Sequence, residues 1–124
     1  MYLIDSHVLL WSLENNPQLS QTAIDILQNQ DLAISIASLW EIEIKRNIGK
    51  LQLPFIPSQL AKICTNRDIQ ILPVTSDELD VLGTLPFIHK DPFDRIIIST
   101  ALSKGYPLLT HDENIQKYNL QTIW

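Results

Sequence analysis

Short apolar runs rich in β-branched residues alternate along this chain with longer segments of helical periodicity, and that alternation leaves few folds open. The strand-like runs are Tyr2 to Asp5, Leu32 to Ser35, Ile69 to Val74, Pro107 to Thr110 and Leu120 to Trp124. A helix follows the first through Val8, Leu9, Leu10, Trp11 and Leu13, and Ser20 caps another that runs out near Asn29. From Ser35, the segment SIASLWEIEIKRNIGK sets Ile36, Leu39, Trp40, Ile44 and Ile48 on one stripe ended by Gly49, which predicts a helix held to the core by that stripe. The prolines between Leu51 and Pro57 make a connector, and further helices are expected over Ser58 to Asn66 and Asp77 to Leu82.

Asp91-Pro92 announces the next helix with a cap and a first-turn proline, and Gly105 ends it. Its Phe93, Ile96, Ile97, Ile98, Ala101 and Leu102 imply burial on more than one face. A short helix at Glu113 to Tyr118 precedes the last strand. Strands alternating with helices predict a three-layer α/β/α sandwich with a roughly five-stranded parallel sheet and right-handed crossovers. At 124 residues, positions 1–124 are expected to form one domain with one core.

The 45% apolar content is spread over the whole length, and no apolar run approaches the roughly 20 residues needed to span a bilayer. No basic segment precedes the apolar start, so the expectation is a cytoplasmic protein without a membrane partner. A single cysteine, Cys64, excludes an internal disulfide and a Cys-rich zinc site, and reads as core packing. Nine Lys and Arg against 14 Asp and Glu give a net charge of −5, opposite to the basic footprint of most nucleic-acid binders. The cations are clustered, however: Lys45, Arg46 and Lys50 form one group, Lys90 and Arg95 another, and both flank candidate acids.

In such sheets, sites form beyond the carboxyl ends of the strands where strand order reverses. Asp5 ends the first strand and Asp112 follows the fourth; each alone reads as a helix cap, and only together do they suggest a site. Asp94, three residues after Asp91, fits a capping arrangement, yet its carboxylate would point toward the same strand ends. The fourth candidate is Glu41 or Glu43. On the helical wheel Glu43 falls within the arc of Ile36, Leu39 and Trp40 and Glu41 at its edge, so periodicity does not decide between them.

Carboxylates gathered without counter-ions repel one another, so the cluster makes physical sense as a hard-cation site for one or two Mg²⁺ or Mn²⁺ ions. Such ions polarise a phosphodiester and activate water, the logic of metal-dependent nucleases. His7, His89 and His111 show no paired zinc spacing and read as surface or capping residues.

The segments LIDSHVLLW, SLWEIEIK, HKDPFDRIIISTA and LLTHDENI, in this order and spacing from Met1 to about Ile115, resemble those that carry the acids of VapC-like PIN-domain ribonucleases. The resemblance implies catalytic and metal-site roles for Asp5, Glu41, Asp94 and Asp112, and it selects Glu41 over Glu43. It gives Ser6 and Thr110 a supporting role behind the carboxylates, against plain capping as the alternative. Lys45, one turn beyond Glu41, would pair with it or meet a substrate phosphate, and Arg95 beside Asp94 is a further candidate for substrate contact. The implied activity is endoribonucleolytic hydrolysis of RNA, by the toxin of a toxin-antitoxin pair, with a homodimeric state and an antitoxin covering the groove.

Two other readings stand beside it. A receiver-like phosphoacceptor domain shares the doubly wound fold, but predicts an adjacent acid pair after the first strand and a lysine after a late one. Here Ser6 and His7 follow Asp5, and Asp112 takes the lysine's place. A catalytically silent PIN-like module that binds a partner is the other.

Overall fold

The computed structural model describes residues 1–124. Its five strands are β1 (Tyr2–Ile4), β2 (Leu32–Ser35), β3 (Ile69–Leu72), β4 (Leu108–Leu109) and β5 (Thr122–Ile123). All pair in parallel, in the order β3-β2-β1-β4-β5. The helices are α1 (Ser6–Leu13), α2 (Gln21–Asn29), α3 (Ile36–Asn47), α4 (Pro57–Asn66), α5 (Ser76–Leu82), α6 (Pro92–Lys104) and α7 (Glu113–Gln116). The predicted α/β/α sandwich is therefore present, with five parallel strands.

Alternation along the strands divides the interior into two cores. Ile4, Ile34 and Leu109 face one core, which Val8, Leu9, Ala23, Ile26, Leu39, Ile42, Leu60 and Cys64 complete from α1 to α4. Leu3, Ala33 and Leu108 face the other, closed by Ile97, Ile98 and Ala101 of α6 and by Ile115 of α7. Because both faces of β1, β2 and β4 are covered, these strands read as continuous apolar runs rather than alternating ones. Cys64 is buried in the first core, as expected.

Several elements end earlier than the sequence suggests. β3 stops at Leu72 rather than Val74, because Pro73 has no amide hydrogen for the ladder. β4 and β5 are two-residue strands, and α7 ends at Gln116 rather than Tyr118. Gly105, at φ 69°, closes α6 in the left-handed region where a side chain is disfavoured.

The largest departure is the orientation of α3. Four of the five stripe residues point outward, Ile36, Trp40, Ile44 and Ile48 being 45%, 61%, 38% and 60% exposed, while Leu39 is buried. The helix approaches its neighbours instead through Ala37, Ser38, Leu39, Glu41 and Ile42. Small residues permit close packing, so the size of an apolar side chain misidentified the buried face. In α6, burial on more than one face does occur, but through Arg95, Ser99 and Thr100 as well as Ile97, Ile98 and Ala101, while Leu102 is exposed. No helix is long and apolar enough to cross a membrane.

Candidate active site

The chain runs outward from β1 through β2 to β3, then returns to place β4 on the other side of β1. Strand order thus reverses between β1 and β4, where crevices open at strand carboxyl ends. Asp5 follows β1, and Thr110 and Asp112 follow β4.

Asp5 caps α1. Its Oδ1 accepts from the Val8 amide at 2.9 Å and its Oδ2 from the Thr110 hydroxyl at 2.5 Å. Burial pushes the Asp5 carboxyl above its ordinary range, opposed by these hydrogen bonds and by the charge of His7. Glu41, also buried, extends from α3 toward the same end of the sheet. Its Oε1 accepts from the Ser6 hydroxyl at 2.6 Å, and its Oε2 lies 3.4 Å from Lys45 Nζ one turn later.

Asp94 stands in the first turn of α6 behind its cap Asp91, which accepts from the Phe93 and Asp94 amides at 2.8 and 3.3 Å. Carboxylate oxygens of Glu41, Asp91 and Asp94 lie within 4.8 Å of one another. Burial, together with the charges of Asp91, Glu41 and Asp112, pushes the Asp94 pKa up to about 7. Asp112 caps α7 through the Asn114 and Ile115 amides at 2.8 and 3.2 Å, and its own amide donates to Thr110 Oγ1 at 3.1 Å. Burial raises the pKa of Asp112, but hydrogen bonds from His89, Ile115 and Asn114 outweigh it and leave the carboxyl below its usual range.

His89 was expected at the surface or in a cap, and the structure corrects this. Its Nε2 lies 2.9 Å from Asp94 Oδ2 and 3.3 Å from Asp112 Oδ2. Its Nδ1 accepts from the Asp91 amide at 3.1 Å, which leaves Nε2 to carry the proton and donate to Asp112, with Asp94 in close contact beside it. The Tyr118 hydroxyl fixes the loop by accepting from the His89 amide at 2.9 Å and donating to the Pro86 carbonyl at 2.7 Å. Asp91 is a second residue whose place sequence reading missed, having been read only as a cap. The signal for both was present in HKDPFD, where a histidine and an extra acid flank the residue already singled out.

Arg95 is the clearest correction. It is 8% exposed and turned away from the acids, donating to the carbonyls of Pro86, Leu85 and Leu82 and to Tyr118 Oη, with its guanidinium 4.4 Å from the Phe87 ring centroid. It ties down the loop before α6 and is not placed to meet substrate. Arg46 likewise pairs with Glu43 at 2.8 Å on the surface, which holds Glu43 below its ordinary range. Of the expected basic groups, Lys45 and Lys50 are the ones that line the cleft beside Glu41.

The PIN-domain family model matches residues 2–120. The chain belongs to the PIN-domain family. It is 28% identical to Ribonuclease VapC22 of Mycobacterium tuberculosis (strain ATCC 25618 / H37Rv), over 98% of this chain and 97% of the relative. Among solved structures, VapBC2 from Rickettsia felis bound to a promoter DNA fragment superposes with a TM-score of 0.73 at 17% identity, covering 98% of this chain and 96% of the other. A toxin-antitoxin complex from Klebsiella pneumoniae gives 0.69 at 16% identity, covering 100% and 97%. These likenesses show that the fold of this PIN domain is shared, and the receiver-like reading is set aside with them.

The donor set of this PIN domain suits a hard divalent cation: clustered oxygens, one imidazole, and Lys45 as the single permanent cation paired with any of them. The raised pKa of Asp94 comes first from burial and then from the neighbouring charges of Asp91, Glu41 and Asp112, which a bound cation would offset.

Proposed function

We propose that this PIN domain is a metal-dependent endoribonuclease, the toxin of a toxin-antitoxin pair, acting on RNA with one or two Mg²⁺ or Mn²⁺ ions. The observation that carries the reading is the convergence of Glu41, Asp91, Asp94 and Asp112 on one region, reached by Asp5 from the neighbouring strand end. It is supported by the similarity to a protein named as a ribonuclease and by the shared fold of structures described as toxin-antitoxin complexes.

In this account Asp5, Glu41, Asp94 and Asp112 hold the ions. What an ion supplies there is charge at the phosphodiester and activation of water, so no nucleophilic side chain is needed. The chain's own contribution is orientation. Thr110 fixes Asp5 and the Asp112 backbone, Ser6 fixes Glu41, and the helices that Asp5, Asp91 and Asp112 cap hold those acids in place. Lys45, 38% exposed beside Glu41, is free to turn toward a phosphate.

The proposed partners are RNA, an antitoxin that covers the cleft, and a second copy of the chain. For the second copy, the outward stripe of α3 offers a surface: Ile36, Trp40 and Ile44, with Trp40 set edge-on to Phe93 at 5.1 Å. Residues 1–124 are taken as a single domain. Sequencing RNA ends after brief expression tests the nuclease reading: new ends should appear with the wild type and vanish with Asp5→Asn. Identical ends with both would leave the silent partner-binding module as the better account.

A further inference from the structure

Three aromatic rings meet at the edge of the acidic cluster. Trp11 lies in the last turn of α1, His111 between β4 and α7, and Trp124 after β5. Ring centroids are 6.1 Å apart for Trp11 and His111, 5.8 Å for Trp11 and Trp124, and 5.0 Å for His111 and Trp124. His7 joins the group 5.8 Å from Trp11. All four rings belong to elements that also carry or adjoin the acids, so chain topology brings them together at the strand ends.

Trp124 rests on the larger core, but Trp11 packs against neither core, and His7 and His111 are exposed. A tryptophan contributing little to the interior at the lip of a cleft calls for another explanation. None of the pairs stacks face to face, the interplanar angles running from 47° to 62°. Trp11, His7 and His111 line an open cavity of about 190 Å³ whose remaining walls are Asp5 and Asp112. On its other side Trp11 borders a cleft of about 330 Å³ that contains Glu41, Lys45 and Lys50.

Charge explains why such a platform would matter. The chain carries −5, the cleft is acidic, and Lys45 and Lys50 are the cations that line it, so attraction for a polyanion is limited. Stacking of a base on an aromatic ring contributes about 1–3 kcal/mol per base and does not depend on net charge. It also requires an unstacked base, available in single strands, loops and bulges but not inside a duplex.

We infer that Trp11, backed by His111 and Trp124, forms a stacking subsite for an unpaired nucleobase next to the scissile phosphate, with Lys45 and Lys50 meeting the backbone on the other side. This rests on the nuclease reading and assigns its base contact to Trp11. Trp11 here is a binding residue, distinct from the acids that carry the chemistry.

The test has two arms. In the cleavage arm, Trp11→Ala should raise KM for a short unstructured oligoribonucleotide about ten-fold or more with kcat little changed, and Trp11→Phe should recover most of the loss. An unchanged KM, or a fall in kcat alone, overturns the inference. The binding arm reads tryptophan fluorescence in the Asp94→Asn background and does not depend on cleavage. The same oligonucleotide should quench the signal, its abasic counterpart and its duplex should not, and Trp11→Ala should remove the quench while Trp40→Phe keeps it. Absence of quench, or equal quench by the abasic oligomer, overturns the subsite even in an enzyme that cuts RNA. Quench without any cleavage by the wild type would uphold the subsite while defeating the nuclease reading. Loss of a co-purifying protein partner on Trp11→Ala, with KM and quench unchanged, would assign the rings to a protein interface and overturn it.

Discussion

The Thr110 hydroxyl donates to Asp5 Oδ2 at 2.5 Å and accepts from the Asp112 amide at 3.1 Å, so one side chain ties the acids at the ends of β1 and β4. Thr110 is fully buried, and no solvent is at hand to replace either bond. Thr110→Val keeps the shape but leaves a carboxylate oxygen and an amide unpaired, at a cost of about 1–3 kcal/mol for each group. Thermal unfolding should show the loss, and metal affinity should drop about 10- to 100-fold through the misplaced ligands. Thr110→Ser should restore both. Wild-type metal affinity in Thr110→Val would show that the hydroxyl serves the fold alone.

Glu41 and Glu43 lie about 200° apart on α3 and cannot share a role. Glu41→Gln should abolish cleavage with the fold intact, since the Gln carbonyl still accepts from Ser6 and a negative charge beside Asp94 is removed. Glu43→Gln should leave cleavage unchanged, because that acid pairs with Arg46 at the surface and such pairs add little stability. An inactive Glu43→Gln beside an active Glu41→Gln would reverse the assignment. Rates of both variants on one RNA decide it.

The acids at the strand ends could be read from sequence because each belongs to a local pattern: Asp5 closes an apolar run, Asp91-Pro92 opens a helix, and Asp112 precedes a short one. Parallel topology followed from the alternation of elements. The face of α3 could not be read this way, because Ala37 and Ser38 pack inward while Trp40 points out, and periodicity alone weights the larger residue. The place of His89 depends on contacts with Tyr118 and Asp112 that span 29 and 23 residues. Arg95 looked like a substrate contact because it adjoins Asp94, yet neighbours on a helix point in different directions.

Arg95→Met should therefore act on stability rather than on substrate. The Leu85 carbonyl loses its donor, while those of Pro86 and Leu82 keep the Tyr118 hydroxyl and the Leu85 amide, and a buried carbonyl without a partner costs about 1–3 kcal/mol. Denaturant unfolding should show a loss of that order or more, with KM for RNA unchanged in the folded protein. A raised KM at unaltered stability would return Arg95 to the substrate.

Asp94 makes the metal-free protein sensitive to pH. Its pKa is raised from 3.8 to about 7, so the folded state keeps a proton that the unfolded chain has released. The stability it contributes is fully present below about pH 4 and is lost as pH rises through about 7. Asp5, also raised by burial, acts in the same direction, whereas Asp112, with its lowered pKa, loses stability only as pH falls below the usual carboxylate range. Urea unfolding in chelator at about pH 5 and about pH 8 should show the wild type weaker at the higher pH and Asp94→Asn less affected. Equal stability of the wild type at both would contradict the raised pKa of Asp94.

Cleavage of RNA by the purified protein with Mg²⁺ or Mn²⁺, set against the same reaction in excess chelator, separates an ion-dependent nuclease from a silent module. The carboxylate cluster predicts cuts that require the ion, stop with chelator, return when the ion is restored in excess, and are absent in Asp5→Asn. Cleavage undiminished by chelator, or equal in Asp5→Asn, would contradict it.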